Sequence, residues 1–280
     1  MRKPGHISGP RPRKELGQHF LQDEEIAGRI VSSMKLNWDD RALEIGPGRG
    51  VLLRFLLKAC RRVTAVELDL RLKKSLERTF GGHPGLELIF DDFLRFDLEG
   101  FLLQDAAPVK LVGNIPYSLS SPILFRIFEA AQRLAEQNRF PLRSATLMLQ
   151  KEVAERISAE PGGRSYGGIT VQRALVADAS LLFQVPAAAF WPPPRVTSAA
   201  VRLDFYSNQH FKLTDRARFV DLVHHVFAQR RKMLKNTLGS LCCIRPDWQK
   251  ADFDFTRRPE ELTLAEFIKL SELVQPESAR

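Results

Sequence analysis

Cysteine is scarce in this chain. Cys60, Cys242 and Cys243 are the only three in 280 residues, which gives no disulfide framework, and no CxxC pair or HExxH stretch offers a metal site. No apolar run reaches the roughly 18 residues needed to cross a bilayer, and the start carries no signal-peptide pattern. Internal repeats and low-complexity tracts are absent too. These absences lead us to expect a reduced, cytoplasmic protein with no structural metal and no membrane segment.

What is present is ordinary in amount and uneven in charge. An apolar share of 44% beside 27% charged residues is globular, and the length suits one large domain alone or with a small one. Lysine and arginine number 42 against 33 acids, a formal net charge of +9. Residues 1–14 hold Arg2, Lys3, Arg11, Arg13 and Lys14 and no acid. This Pro/Gly-rich arm is either a flexible solubilising tail or a segment that follows phosphates and orders on binding. Pro4, Pro10 and Pro12 leave no amphipathic presequence helix.

Apolar or β-branched runs at Ala42–Ile45, Val63–Glu67, Leu86–Phe90, Leu111–Gly113, Ala145–Leu149, Leu181–Val185 and Ala199–Phe205 read as strands. Helical patterns such as Val51–Ala59, Arg71–Phe80, Pro122–Leu134 and Glu152–Ile157 lie between most of them. The alternation predicts an α/β domain over residues 15–205, a Rossmann-like doubly wound sheet of seven strands, mostly parallel. The last two signals lack a helix between them and suit an antiparallel hairpin at the sheet edge. Beyond residue 206, helical spacing at Thr214–Phe227 and Met233–Leu241 and a Thr263–Glu266 capping box opening a helix to Leu273 predict a small all-α domain over 206–280.

Two motifs close strands, the place where open α/β sheets carry ligands. In Glu44-Ile45-Gly46-Pro47-Gly48-Arg49-Gly50, Gly46, Gly48 and Gly50 let backbone approach a ligand closely, and the next helix offers its N-terminus to a negative group. Tight strand–helix packing alone would use the same turn. A dinucleotide oxidoreductase would look similar, although its fingerprint is GxGxxG. Glu67, at the end of the second strand, suits both hydroxyls of a ribose. Asp92, after the third, is either an acceptor for a cofactor's adenine amine or a solvated turn acid.

The second motif is Asn114-Ile115-Pro116-Tyr117. Adenine N6 is a poor nucleophile because its lone pair is delocalised into the ring. The Asn114 Oδ1 and the Ile115 carbonyl, aimed by Pro116, could accept the two amine hydrogens and turn the lone pair toward a methyl donor. Tyr117 could stack on the base. A proline-containing strand-end turn is the plain alternative. Phe190 heads Phe190-Trp191-Pro192-Pro193-Pro194-Arg195-Val196, a loop that proline keeps out of any central strand; its ring is either the second half of a base sandwich or a core plug. Near the C-terminus, Arg230, Arg231 and Lys232, with Lys235 close by, read as phosphate contacts or as a solvated helix end.

The ordered set Leu16–Leu21, Glu44–Gly50, Val66–Asp69, Asn114–Tyr117, Gln150–Arg156, Tyr166-Gly167, Pro192–Ser198 and Gln229–Lys232 resembles the ribosomal small-subunit rRNA adenine N6,N6-dimethyltransferase family. The resemblance implies a class I methyltransferase domain holding S-adenosylmethionine through His19, Leu21, Gly46, Gly48, Glu67, Asp92 and Asn114. It implies Asn114, Tyr117 and Phe190 around a flipped adenine; set beside such a base-modifying site, the cluster of Arg230, Arg231, Lys232 and Lys235 is read as phosphate contacts. The implied substrate is a pair of adjacent adenosines near the 3′ end of small-subunit rRNA, on a late assembly intermediate of the small ribosomal subunit, with the enzyme a monomer. His19 departs from the asparagine common at its position, and Asp91 stands where glycine often precedes the acid of the third motif. The competing readings are the related large-subunit rRNA dimethyltransferase that confers macrolide resistance, and an assembly factor whose main task is RNA binding.

Overall fold

Runs of apolar residues without alternation belong to strands covered on both faces, and the inner strands of the central sheet follow that rule. The computed structural model describes residues 10–13, 17–238 and 252–273. In chain order it begins with β1 (Phe20–Leu21), α1 (Glu24–Ser33), β2 (Arg41–Ile45), α2 (Val51–Ala59) and β3 (Arg62–Val66). There follow α3 (Lys73–Phe80), β4 (Leu86–Ile89), α4 (Leu98–Leu103), β5 (Val109–Asn114), α5 (Ser120–Glu136) and β6 (Leu142–Gln150). The sheet domain ends with α6 (Lys151–Ile157), α7 (Gly168–Ala174), β7 (Ala177–Val185), β8 (Phe190–Trp191) and β9 (Ser198–Phe205).

Seven strands form one sheet in the order β4-β3-β2-β5-β6-β9-β7. Pairing is parallel from β4 to β6, while β9 runs antiparallel to both its neighbours. The expected antiparallel pair at the edge is present, with β9 inserted between β6 and β7. Every residue of β2 is buried, and side chains alternate between two cores. Leu43, Ile45, Leu111 and Leu147 enter one, whereas Ala42, Val112 and Met148 enter the other. A one-residue slip would exchange the two faces.

The glycine turn after β2 is sterically forced. Gly50 precedes α2 at φ +78°, and a Cβ there would stand 2.3 Å from the Phe80 ring. Gly48, at φ +57°, lies so close to Phe20 that a Cβ would sit 3.0 Å from its ring. Phe20 belongs to β1, which pairs antiparallel with β8 in a two-stranded ribbon. Sequence reading missed this ribbon because two residues carry no periodicity.

The C-terminal helices are α8 (Arg216–Ala228), α9 (Leu234–Leu238) and α10 (Leu264–Leu273). Asp215 caps α8 by accepting from the Arg218 N–H. The capping box forms as expected: Glu266 accepts from the Thr263 N–H at 2.8 Å and its own N–H donates to the Thr263 hydroxyl at 3.3 Å. Of the predicted helix Met233–Leu241, the part beyond Leu238 lies outside the described residues. These helices share the first core with the sheet, where Phe219, Val223 and Phe267 join Tyr166 and Ile169. The Tyr166 hydroxyl donates to the Leu262 carbonyl at 2.9 Å and ties the two parts together.

Candidate active site

Register places the site. Ile45 is opposite Val66 on one side and Gly113 on the other, so the residues that follow, Gly46, Glu67 and Asn114, emerge level with one another. Together with Gly17, His19, Leu21, Glu44, Gly48, Arg49 and Ile115–Tyr117 they line one cleft at the carboxyl ends of the parallel strands.

Two carboxyls sit on its floor. Glu67 is 5% exposed, and its two oxygens accept from the Gly48 N–H at 2.9 Å and the Asp69 N–H at 2.8 Å. Burial raises its pKa while those two N–H groups oppose the shift. Glu44 is 1% exposed and its Oε2 has no hydrogen-bond partner among the described residues. Burial, then the nearby charge of Glu67, pushes the Glu44 carboxyl up to about 8. A carboxyl inside an apolar strand run is costly unless something meets it, a signal already present in the sequence.

The other wall is polar and organised around His19. The Asn114 Nδ2 donates to the His19 carbonyl at 2.7 Å. A carbonyl can only accept, so this bond fixes the amide's orientation. Among the described residues neither the Asn114 Oδ1 nor the Ile115 carbonyl accepts a hydrogen bond. The His19 ring stacks on Tyr117 with centroids 5.5 Å apart, and its Nδ1 lies 2.6 Å from the Pro192 carbonyl. The Tyr117 hydroxyl is 2.6 Å from the Ser198 hydroxyl, and burial raises its pKa. Arg49 lies over both the Phe20 and Trp191 rings, at 4.9 and 4.7 Å, which clamps the β1–β8 ribbon to the glycine turn.

The ribosomal RNA adenine dimethylase family model matches residues 9–269. The chain belongs to that family. The small-subunit rRNA methyltransferase A of Magnetococcus marinus is 40% identical over 97% of this chain and 95% of that protein. The protein of the same name from Acinetobacter baylyi is 38% identical over 96% and 94%. Among solved structures, a dimethyladenosine transferase from Plasmodium falciparum superposes with a TM-score of 0.71 at 25% identity, covering 90% of this chain and 96% of that one. The 23S rRNA methyltransferase ErmE superposes at 0.67 with 26% identity, covering 91% and 99%. The fold is accordingly that of the class I methyltransferases, and the chain is an rRNA adenine dimethyltransferase that uses S-adenosylmethionine.

The residues in the cleft fit that cofactor. A Cβ built on Gly46 would meet nothing within 4 Å, so the turn is open on that side to a ligand lying against backbone. The lining carries two acids, Glu44 and Glu67, and the unpartnered Glu44 Oε2 is an acceptor in want of a donor. That donor set suits a ligand with a cationic sulfonium and ammonium and two ribose hydroxyls.

Of the residues expected from sequence, His19, Leu21, Gly46, Gly48, Glu67, Asn114 and Tyr117 converge on the cleft. Phe190 does not line it. Its ring is 4% exposed within the second core, paired through β8 with Leu21, which is the core-plug alternative in this conformation. Asp92 is also outside the lining, and its carboxylate accepts from the Leu94 N–H at 2.9 Å in the turn after β4. Asp91 is exposed and accepts from the Asp92 N–H at 2.7 Å.

The basic cluster divides. Arg230 is ion-paired with Glu260 and donates to the Gly163 carbonyl, so it ties α8 to two loops. Arg231, Lys232 and Lys235 are exposed. Of the arm, Arg2, Lys3 and Lys14 lie outside the described residues, while Arg49 and Arg71 hold the Pro10 and Arg11 carbonyls at 3.3 Å each. Glu44, Arg49 and Ser198 are site residues to which sequence reading gave no role. Only Glu44 left a signal.

Proposed function

We propose that this enzyme transfers two methyl groups in succession to N6 of each of two adjacent adenosines near the 3′ end of small-subunit rRNA. It acts as a monomer, in the cytoplasm, on a late assembly intermediate of the small subunit. The observation that carries the reading is the locked Asn114 amide, whose Oδ1 and the neighbouring Ile115 carbonyl stand as a pair of unused acceptors at the strand end.

Bound S-adenosylmethionine supplies an electrophilic methyl group. Glu67 would accept the ribose hydroxyls, Gly46 and Gly48 would give close backbone approach, and His19, Leu21 and Asn114 would complete the wall that holds the cofactor. The Asn114 Oδ1 and Ile115 carbonyl draw the N6 hydrogens toward themselves and localise the lone pair on nitrogen. This preorganised pair does its work without reorganising. Tyr117 stacks on the extruded base, worth roughly 1–3 kcal/mol, which offsets part of the few kcal/mol lost on unstacking. Phe190 supports the cleft from the second core, paired through β8 with Leu21 of the lining. Arg231, Lys232 and Lys235 contact phosphates, with Arg230 holding their helix end.

The substrate preference is supported by relatives at 38–40% identity named for the small subunit, against 26% for a large-subunit enzyme. Incubating immature small subunits, large subunits and short oligonucleotides with radiolabelled S-adenosylmethionine tests it. Label is expected in N6,N6-dimethyladenosine from small-subunit rRNA. Label confined to large-subunit rRNA, or tight subunit binding with no transfer, would overturn the reading in favour of a resistance-type enzyme or an assembly factor.

A further inference from the structure

What holds the Tyr117 ring decides where a base stacked on it lies. The chain around it does little of the holding. Tyr117 opens a single 3-10 turn, Tyr117–Leu119, in which no residue is buried, and a tyrosine side chain rotates about two bonds. Two contacts supply what the turn does not. The His19 ring covers one face, with centroids 5.5 Å apart and planes 29° apart, so a base must take the other. Stacking alone is tolerant of sliding and tilting. The second contact fixes the far end: the Tyr117 hydroxyl lies 2.6 Å from the Ser198 hydroxyl, and neither has another hydrogen-bond partner among the described residues.

Ser198 is built to be an anchor. It opens β9, in register with Gln150 of β6 on one side and Val185 of β7 on the other. The carbonyl just before it, that of Thr197, accepts from the Lys151 N–H at 3.0 Å. Its side chain is 1% exposed, where a hydroxyl is costly without a partner. The next two positions, equally buried, are Ala199 and Ala200, so packing at this end of the strand does not itself call for a hydroxyl. One stretch of chain therefore supplies both supports of the ring: the Pro192 carbonyl holds the His19 Nδ1 at 2.6 Å, and Ser198 closes the same proline-rich segment.

We propose that Ser198 is a positioning residue, whose hydroxyl fixes the tilt of the Tyr117 ring and through it the alignment of the target base. The inference rests on the base-stacking reading above. A ring free to swing still binds the base, but it presents N6 to the methyl donor over a wider range of angles, and reaction needs a narrow one. The loss belongs in the rate of transfer and not in the hold on RNA, which phosphate contacts dominate.

The plainer role is to tie β9 to the turn for stability, and a double-mutant cycle separates the two. Ser198→Ala, Tyr117→Phe and the double variant are compared in single-turnover methylation of small subunits at saturating S-adenosylmethionine and enzyme. Ser198→Ala should slow transfer about three- to tenfold, the scale of one neutral hydrogen bond. Tyr117→Phe removes the same bond from its other end and should slow it by a similar factor. The double variant should be no slower than the slower single one. Half-saturating subunit concentration and S-adenosylmethionine affinity should stay at wild-type values. A purely structural bond would lower the unfolding midpoint and leave the rate constant of the folded enzyme unchanged. That result, a double variant slowed by the product of the two single factors, or a loss seen only in subunit affinity would each overturn the assignment. If Ser198→Ala does not fold, Tyr117→Phe decides alone, because it leaves the strand untouched: a wild-type rate overturns the proposal and a slowed one sustains it. A wild type that methylates no RNA would instead remove the function reading, and the positioning role with it.

Discussion

At the scale of residues, Glu44 carries the clearest stored cost. It is buried without a partner for Oε2, beside a second carboxyl. Its pKa rises from 4.5 to about 8 on folding, so between those values the native state holds a proton that the unfolded chain has released. Stability therefore falls as pH rises through that window and levels off above it. Denaturant unfolding of the free protein at pH 5 and pH 8 should show this loss, of the order of a few kcal/mol. Glu44→Gln should flatten it. A variant with the wild-type slope would place the titrating group elsewhere. The same residue is a signal that sequence reading left unused: an acid inside an apolar strand run is costly unless something meets it. The bond from Asn114 to the His19 carbonyl left no such mark, because it joins residues 95 positions apart.

Among the elements, the strand signals were readable because parallel strands buried on both faces need unbroken apolar runs. β7 is the exception, starting at Ala177, earlier than the apolar run at Leu181. It is the sheet edge, with Asp178 and Ser180 among its less buried positions, so its first half reads as polar. The ribbon β1–β8 and the short α7 were invisible for want of length. The glycine turn was legible as a motif, and the structure adds its steric cause. Gly50→Ala is expected to destabilise the protein, since the left-handed backbone alone costs about 1–3 kcal/mol and the added methyl would meet Phe80 at 2.3 Å. Urea unfolding reads this directly. A midpoint equal to wild type would mean that Phe80 moves freely and the turn is under no constraint.

For the whole molecule, an excess of nine positive charges is a statement about partners. The charges expected to meet RNA were identified from clustering, but clustering could not show that Arg230 is committed to Glu260 and Gly163. The cluster should therefore split in experiment. Replacing Arg231 and Lys232 by alanine is expected to weaken RNA binding and make its salt dependence shallower by about 1–2 in the log–log slope, with thermal unfolding unchanged. Arg230→Ala should lower the unfolding midpoint as well. Identical salt slopes in wild type and the double variant would exclude these two side chains as phosphate contacts.

The Asn114 amide is the centre of the mechanism, and single-turnover methylation by Asn114→Ala, at saturating S-adenosylmethionine and saturating small subunits, tests it most directly. Removing the Oδ1 acceptor should cut the rate by about 10²–10³, the usual scale for losing one preorganised hydrogen-bonding group at a reacting centre. Subunit affinity, dominated by phosphate contacts, should change little. A folded Asn114→Ala protein that methylates at close to the wild-type rate would contradict the mechanism.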